Sequence, residues 1–233
     1  MAQINKPTDY FNTKLYTGTG SSNAITGVGF QPDLVWAKRR SATQYHGIYD
    51  SVRGATEQLT PNTTDAESTK SETLKSFDSD GMTFGTNVRN NDNGTTNVAW
   101  NWKASNSTTN DTTSGYLANT QSVNETAGFT ILKYTGSATN TGTITGLSDP
   151  LDVSITKRLD DTGDWIFWHR YNTGTVGRNY LKLNTTNASL NSATIFQNIA
   201  PSMDGTKSYQ AMGTSSPINV SCAEYISYGF SSR

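Results

Sequence analysis

Val98-Ala99-Trp100-Asn101-Trp102-Lys103 alternates large apolar residues with small or polar ones at a period of two. That period belongs to a β-strand, whose successive side chains point to opposite faces, and not to a helix of 3.6 residues per turn. The same alternation runs through Trp165, Phe167, His169 and Tyr171, which are interleaved with Ile166, Trp168 and Arg170. Leu34-Val35-Trp36-Ala37 is a short, almost continuous apolar run, expected of a central strand covered on both faces. Asp78-Ser79-Asp80-Gly81 and Asn90-Asn91-Asp92-Asn93-Gly94 carry residues that accept the positive φ of tight hairpins. The best helical stretch, Asp65 to Leu74, amounts to a turn. Short strands punctuated this often imply an all-β chain of sheets packed face to face, a β-sandwich of jelly-roll or lectin-like type. A strand face of tryptophan such as Trp100 and Trp102 is expected to be core. Of Trp165 and Trp168, which the alternation places on opposite faces, one is expected to point outward unless another layer covers it.

Composition agrees. Of 233 residues, 37 are Thr, 25 Ser and 22 Asn, against 18 Lys and Arg together and 19 Asp and Glu together. Much Thr, with aromatics at 10%, favours strands. A net charge of −1 gives no general attraction to nucleic acid or to an anionic membrane. No apolar run is long enough to span a bilayer, so membrane insertion is not expected. Met1-Ala2-Gln3-Ile4-Asn5-Lys6-Pro7 lacks the apolar stretch of a secretory signal. One cysteine forms no internal disulfide and supplies no Cys-based zinc site.

The alternating segments recur. Phe11-Asn12-Thr13-Lys14-Leu15-Tyr16-Thr17-Gly18 returns as Phe129-Thr130-Ile131-Leu132-Lys133-Tyr134-Thr135-Gly136. Ile25-Thr26-Gly27 returns as Ile144-Thr145-Gly146, Lys38-Arg39 as Lys157-Arg158, Asn62-Thr63-Thr64 as Asn184-Thr185-Thr186, and Phe84-Gly85-Thr86 as Met212-Gly213-Thr214. Matches in order, at a separation that grows slowly, are what duplication followed by loop insertion leaves behind. The expected organisation is an N-terminal arm (1–8), a first β-sandwich domain (9–104), a polar linker (105–126) and a second β-sandwich domain (127–233). The linker, with room for one short pairing around Tyr116-Leu117, is assigned because its Ser, Thr and Asn bury too little apolar surface to offset the entropy of ordering them.

Chemistry-bearing residues are few. His46, His169 and Cys222 show no nucleophile–base pattern, and the acidic residues sit in polar loops, where nothing raises the pKa of a catalytic acid. Asp78-x-Asp80-Gly81 starts like a calcium loop, but Phe84 and Gly85 stand where further oxygens are needed, so it reads as a turn. No catalytic residue, metal ligand or cofactor is expected. The exposed aromatics that could stack on a sugar ring are Trp165, His169 and Tyr171, taken as glycan-contact candidates.

Asp9-Tyr10-Phe11-Asn12-Thr13-Lys14-Leu15-Tyr16-Thr17-Gly18 and Gly27-Val28-Gly29-Phe30-Gln31-Pro32-Asp33-Leu34-Val35-Trp36 resemble a domain repeated in structural proteins of marine, cyanophage-type tailed phages. Asp50-Ser51-Val52-Arg53-Gly54, Ser76-Phe77-Asp78-Ser79-Asp80-Gly81-Met82 and Val98-Ala99-Trp100-Asn101-Trp102 share that resemblance. It covers nearly all of residues 9–104; the second half departs from it at Ser148-Asp149-Pro150-Leu151-Asp152. The resemblance implies a virion structural protein assembled in a bacterial host cytoplasm, tail-associated as a fibre or appendage component. The alternative is a capsid decoration protein, since no heptad or β-helix stalk is visible; a polysaccharide-degrading tailspike ranks below both. Expected partners are other virion proteins, further copies of the chain in a homo-oligomer (often a trimer in tail appendages) and a host surface glycan.

Overall fold

The computed structural model describes residues 6–172, 178–195 and 206–232. The chain divides into two compact units: residues up to 62 together with 67–107, and 63–66 together with those from 108 onward.

The first unit contains β1 (Phe11–Thr17), β2 (Asn23–Ile25), β3 (Leu34–Arg39), β4 (Gly47–Asp50), β5 (Gly54–Leu59), β6 (Ser68–Thr69), β7 (Leu74–Asp78), β8 (Gly81–Phe84), a single helical turn α1 (Val88–Asn91) and β9 (Thr96–Trp102). A larger sheet has the order β1-β9-β3-β4-β5-β6 and a smaller one the order β2-β8-β7. Both are antiparallel, and between them lies one core of Ile25, Val28, Phe30, Val35, Ala37, Tyr49, Leu74, Met82, Phe84 and Ala99. Tyr16 stacks on Phe84 with ring centroids 5.4 Å apart, and its hydroxyl donates to the Asn90 carbonyl at 2.7 Å.

The inward face of β9 is therefore the small one. Val98, Trp100 and Trp102 lie on the opposite side of the sheet, where register sets them beside Leu15, Thr13 and Phe11 of β1 and beside Lys38, Trp36 and Leu34 of β3. The expectation that Trp100 and Trp102 form the core is corrected: both are half-buried on the outer face. Alternation defines two faces but not which one is inside. Here Ala37 and Ala99 leave the room that Tyr16, Tyr49 and Phe84 fill.

The second unit contains β10 (Thr109–Asp111), β11 (Asn119–Asn124), β12 (Phe129–Thr135), β13 (Thr141–Ile144), β14 (Val153–Arg158), β15 (Ile166–His169), β16 (Asn179–Lys182), β17 (Leu190–Asn191), β18 (Tyr209–Met212), α2 (Ser216–Asn219) and β19 (Glu224–Phe230). Its large sheet runs β10-β11-β12-β19-β14-β15-β16-β17, and β13 pairs with β18. From β12 onward this is the strand order of the first unit, and α2 precedes β19 as α1 precedes β9. Its core gathers Tyr134, Leu147, Leu151, Ile166, Trp168, Tyr180, Met212, Ile218 and Tyr225. Beside that core the inner face buries a hydroxyl network. Ser227 Oγ lies 3.0 Å from both Ser154 Oγ and Thr156 Oγ1 and donates to Gln210 Oε1 at 2.9 Å, while Gln210 Nε2 donates to Thr156 Oγ1 at 3.2 Å.

The same buried asparagine device closes each unit. Asn91 Oδ1 accepts the Thr19 N–H at 2.9 Å, and its Nδ2 donates to the Ser21 carbonyl at 2.5 Å and the Gly85 carbonyl at 2.6 Å. Asn219 Oδ1 accepts the Ser137 N–H at 2.8 Å, and its Nδ2 donates to the Thr139 carbonyl at 2.7 Å and the Gly213 carbonyl at 2.8 Å. Gly85 and Gly213 are required by close approach. A Cβ would come within 2.4 Å of the Glu72 carbonyl oxygen in one unit and 2.3 Å of the Thr194 carbonyl oxygen in the other.

Three further expectations are corrected. Residues 105–126 are not a free linker, because β10 and β11 lie within them and extend the second sheet beyond β12. On β11 the polar side chains are tied down rather than solvated: Asn119 Nδ2 donates to Thr143 Oγ1 at 2.8 Å and to the Ile144 carbonyl at 3.0 Å. The domain limits of 9–104 and 127–233 shift accordingly, and residues 63–66 join the second unit. Asp65 to Leu74 forms no helical turn and contains β6 instead; the helical turn comes at Val88–Asn91, where Asn87 Oδ1 caps the Arg89 N–H at 2.9 Å.

Candidate functional site

The three glycan-contact candidates are not brought together as one exposed platform. Trp165 is fully buried, and Trp168 is buried in the core, so neither indole faces outward as alternation implied. Trp165 stands just before β15, where the Leu183 N–H donates to its carbonyl at 2.9 Å, and it is buried although it lies outside the core that holds Trp168. His169 and Tyr171 remain neighbours, with ring centroids 5.9 Å apart, and the Tyr171 N–H donates to His169 Nδ1 at 3.1 Å. Tyr171 is 73% exposed. Together they offer one tilted aromatic pair.

The carboxylates that suggested turns act as turn locks. Asp80 accepts the N–H groups of Gly27 at 2.9 Å and Gly29 at 2.7 Å, and these bonds hold its carboxyl below the usual range. Asp78 accepts the hydroxyls of Ser76 and Thr83, both at 2.7 Å. Asp50 is buried, accepts the Arg53 backbone N–H at 2.9 Å and pairs with Arg53 Nε at 2.5 Å. Among the described residues, no three His, Cys, Asp or Glu gather as a metal cluster would.

A more distinctive site lies on the outer face of the first unit. A groove of about 670 Å³ opens where the β3–β4 loop, residues 40–46, leaves the sheet. Val98 and Trp100 of β9 and Lys38 of β3 line it from the sheet, and Arg39, Arg40 and His46 from the strand end and the loop. The register of β1, β9 and β3 puts Lys38 beside Val98 and Trp36 beside Trp100, and the two indoles meet edge to face at 6.3 Å. Trp36 Nε1 donates to His46 Nδ1 at 2.9 Å, which leaves Nε2 as the protonated nitrogen of the neutral ring. Burial, and then the charge of Lys38, push the His46 pKa down.

The groove is cationic. Lys38 Nζ donates to the Arg39 carbonyl at 2.8 Å, and Arg39 pairs with Asp92 at 3.2 Å. The Arg40 side chain is exposed and has no partner among the described residues, and Arg39 Nε is buried with no acceptor among them. No Asp or Glu is found among the described residues lining the groove. At its lip Tyr45 is half exposed, with the Arg89 guanidinium 5.4 Å from its ring centroid. Further along the same outer face Phe11 is 38% and Leu15 62% exposed. In the second unit, strand order sets Tyr228 where Trp100 stands and Lys157 where Lys38 stands, and both are buried. The groove thus belongs to the first unit and is not a by-product of the shared strand order.

Sequence reasoning passed over these residues. The sequence reading gives His46 a structural or surface role and Trp100 a core one. The signal available was Lys38-Arg39-Arg40, the densest run of cations in the chain, one strand position from Trp36.

No curated protein and no solved structure matches this chain. A family model does, over residues 6–233 and so across both units. The chain belongs to the family described as the domain of unknown function DUF7483.

Proposed function

We propose that the chain is a virion structural protein of a tailed phage, carried on the tail as a fibre or appendage component, and that it works by contact and not by turnover. Support comes from the resemblance of residues 9–104 to structural proteins of marine phages and from an all-β frame rich in hydroxyl and amide groups. The observation that carries the contact reading is the aromatic, cationic groove at Trp100, Lys38 and Arg40, presented on a rigid sheet face. Recurrence of the strand order and of the buried asparagine bonds supports descent of the two units from one by duplication. Within the particle the chain forms a homo-oligomer, each subunit burying more than the ~800 Å² total typical of lattice contacts.

Imaging of particles that lack the chain tests the placement. Loss of tail density is the expected result. Loss of knobs from the head would turn the reading to capsid decoration, and unchanged particles would overturn both. Release of reducing sugar from a host polysaccharide by the purified protein, abolished by a single Asp or Glu substitution, would replace contact with catalysis.

A further inference from the structure

We propose that the groove of the first unit binds an acidic saccharide, a sugar carrying a carboxylate or sulfate, with its ring against the Trp100 indole and its anionic group between Arg40 and Lys38. The inference rests on the reading that this face is a contact surface, and it names what the surface contacts.

Four observations lead to it. The floor is an indole on a sheet face, held edge to face by Trp36, and a half-exposed indole offers an apolar plate for the C–H face of a pyranose ring. The walls carry Lys38, Arg39 and Arg40; Asp92 offsets Arg39 at 3.2 Å, and with no carboxylate among the described lining residues a neutral ligand would leave the charges of Lys38 and Arg40 uncompensated. Arg40 has no protein partner among the described residues, and its planar fork suits a carboxylate or sulfate. The rim supplies hydroxyl-matching groups: Gln44 and Asn62 line the groove, and the neutral His46 ring keeps one N–H donor.

A volume of about 670 Å³ fits a ligand of a few rings. Nucleic acid would also seek cations and aromatics, but it needs a positive track along its backbone. Here the cations are confined to one sheet end of a chain whose net charge is −1.

The test uses the whole chain and three probes: an oligogalacturonate, its fully methyl-esterified counterpart, and a single-stranded oligonucleotide of equal charge. Binding is read by indole fluorescence and by calorimetry. The oligogalacturonate is expected to bind and to weaken as salt rises, the ester to bind at least ~10-fold more weakly, and the oligonucleotide more weakly than the oligogalacturonate. Arg40→Glu, at an exposed position that leaves the core untouched, is expected to lower oligogalacturonate affinity ~10-fold or more with an unchanged unfolding midpoint. Trp100→Ala is expected to abolish binding of the oligogalacturonate. Equal binding of acid and ester, tighter binding of the oligonucleotide, no binding of any probe, or an Arg40→Glu protein that binds as well as the parent would each overturn the assignment. Failure here with the chain present in the tail leaves the virion reading standing, whereas absence from the particle removes that reading whatever the groove binds.

Discussion

Asn219 shows how much one polar side chain can organise. Buried, it satisfies the Ser137 N–H and the carbonyls of Thr139 and Gly213, as Asn91 does for Thr19, Ser21 and Gly85 in the first unit. Asn219→Ala would leave three backbone groups without their partner, and the expected loss of stability is about 3 kcal/mol, read from the urea midpoint at constant slope. Lys157 is the opposite case. Fully buried, it donates from Nζ to the Arg158 carbonyl at 2.6 Å, and burial, opposed by the charge of Asp65, holds its pKa down at about 8. Below that value the folded state carries a buried ammonium that the unfolded chain solvates. Between about 8 and the ordinary lysine value of 10.5 the folded state has released a proton that the unfolded chain still holds, so this group makes stability rise with pH across that window. Lys157→Met is therefore expected to stabilise the protein at pH 7 by about 3 kcal/mol, with the advantage over the parent shrinking to almost nothing near pH 10.5. Paired chemical denaturation curves at several pH values check it; an advantage that grows with pH would contradict the account.

At the level of elements, the strands at Leu34-Val35-Trp36-Ala37 and Val98–Trp102 were legible because a two-residue period leaves no helical alternative. The all-β sandwich followed from them. Which face turns inward was not legible, since Ala99 shares its core with large rings, Tyr49 and Phe84, supplied by other strands. The groove was hidden for the same reason: Trp100 looks like core until the small face is seen to hold that place. The 105–126 stretch misled through composition, because hydroxyls and amides that look solvated are bonded along β11 and to Thr143. Two substitutions on one strand make the face assignment measurable. Ala99→Leu forces bulk into the filled interior beside Ala37 and should cost about 1–3 kcal/mol. Trp100→Ala, although it removes far more surface, should cost less than a buried tryptophan would, below the ~3–5 kcal/mol of a core truncation. A ranking in which the tryptophan loss matches a core truncation and the alanine change is silent would put the tryptophan face inside after all.

Across the whole molecule the interior is rich in hydroxyl and amide side chains. Ser154, Thr156, Ser227 and Gln210 bond to one another beneath the second sheet, and Thr145 and Ser208 meet at 2.5 Å with neither exposed to water. Hydration of apolar groups raises the heat capacity on unfolding, and hydration of polar groups lowers it. A chain that buries hydroxyls and amides in this proportion should therefore unfold with a heat-capacity increment below the ~12–15 cal/mol/K per residue usual for globular proteins, which scanning calorimetry can measure. The hydroxyl network then has a thermal meaning. A small increment flattens the dependence of stability on temperature, so the fold would hold nearly the same margin from cold water to warm, with both its cold and its heat limits pushed outward.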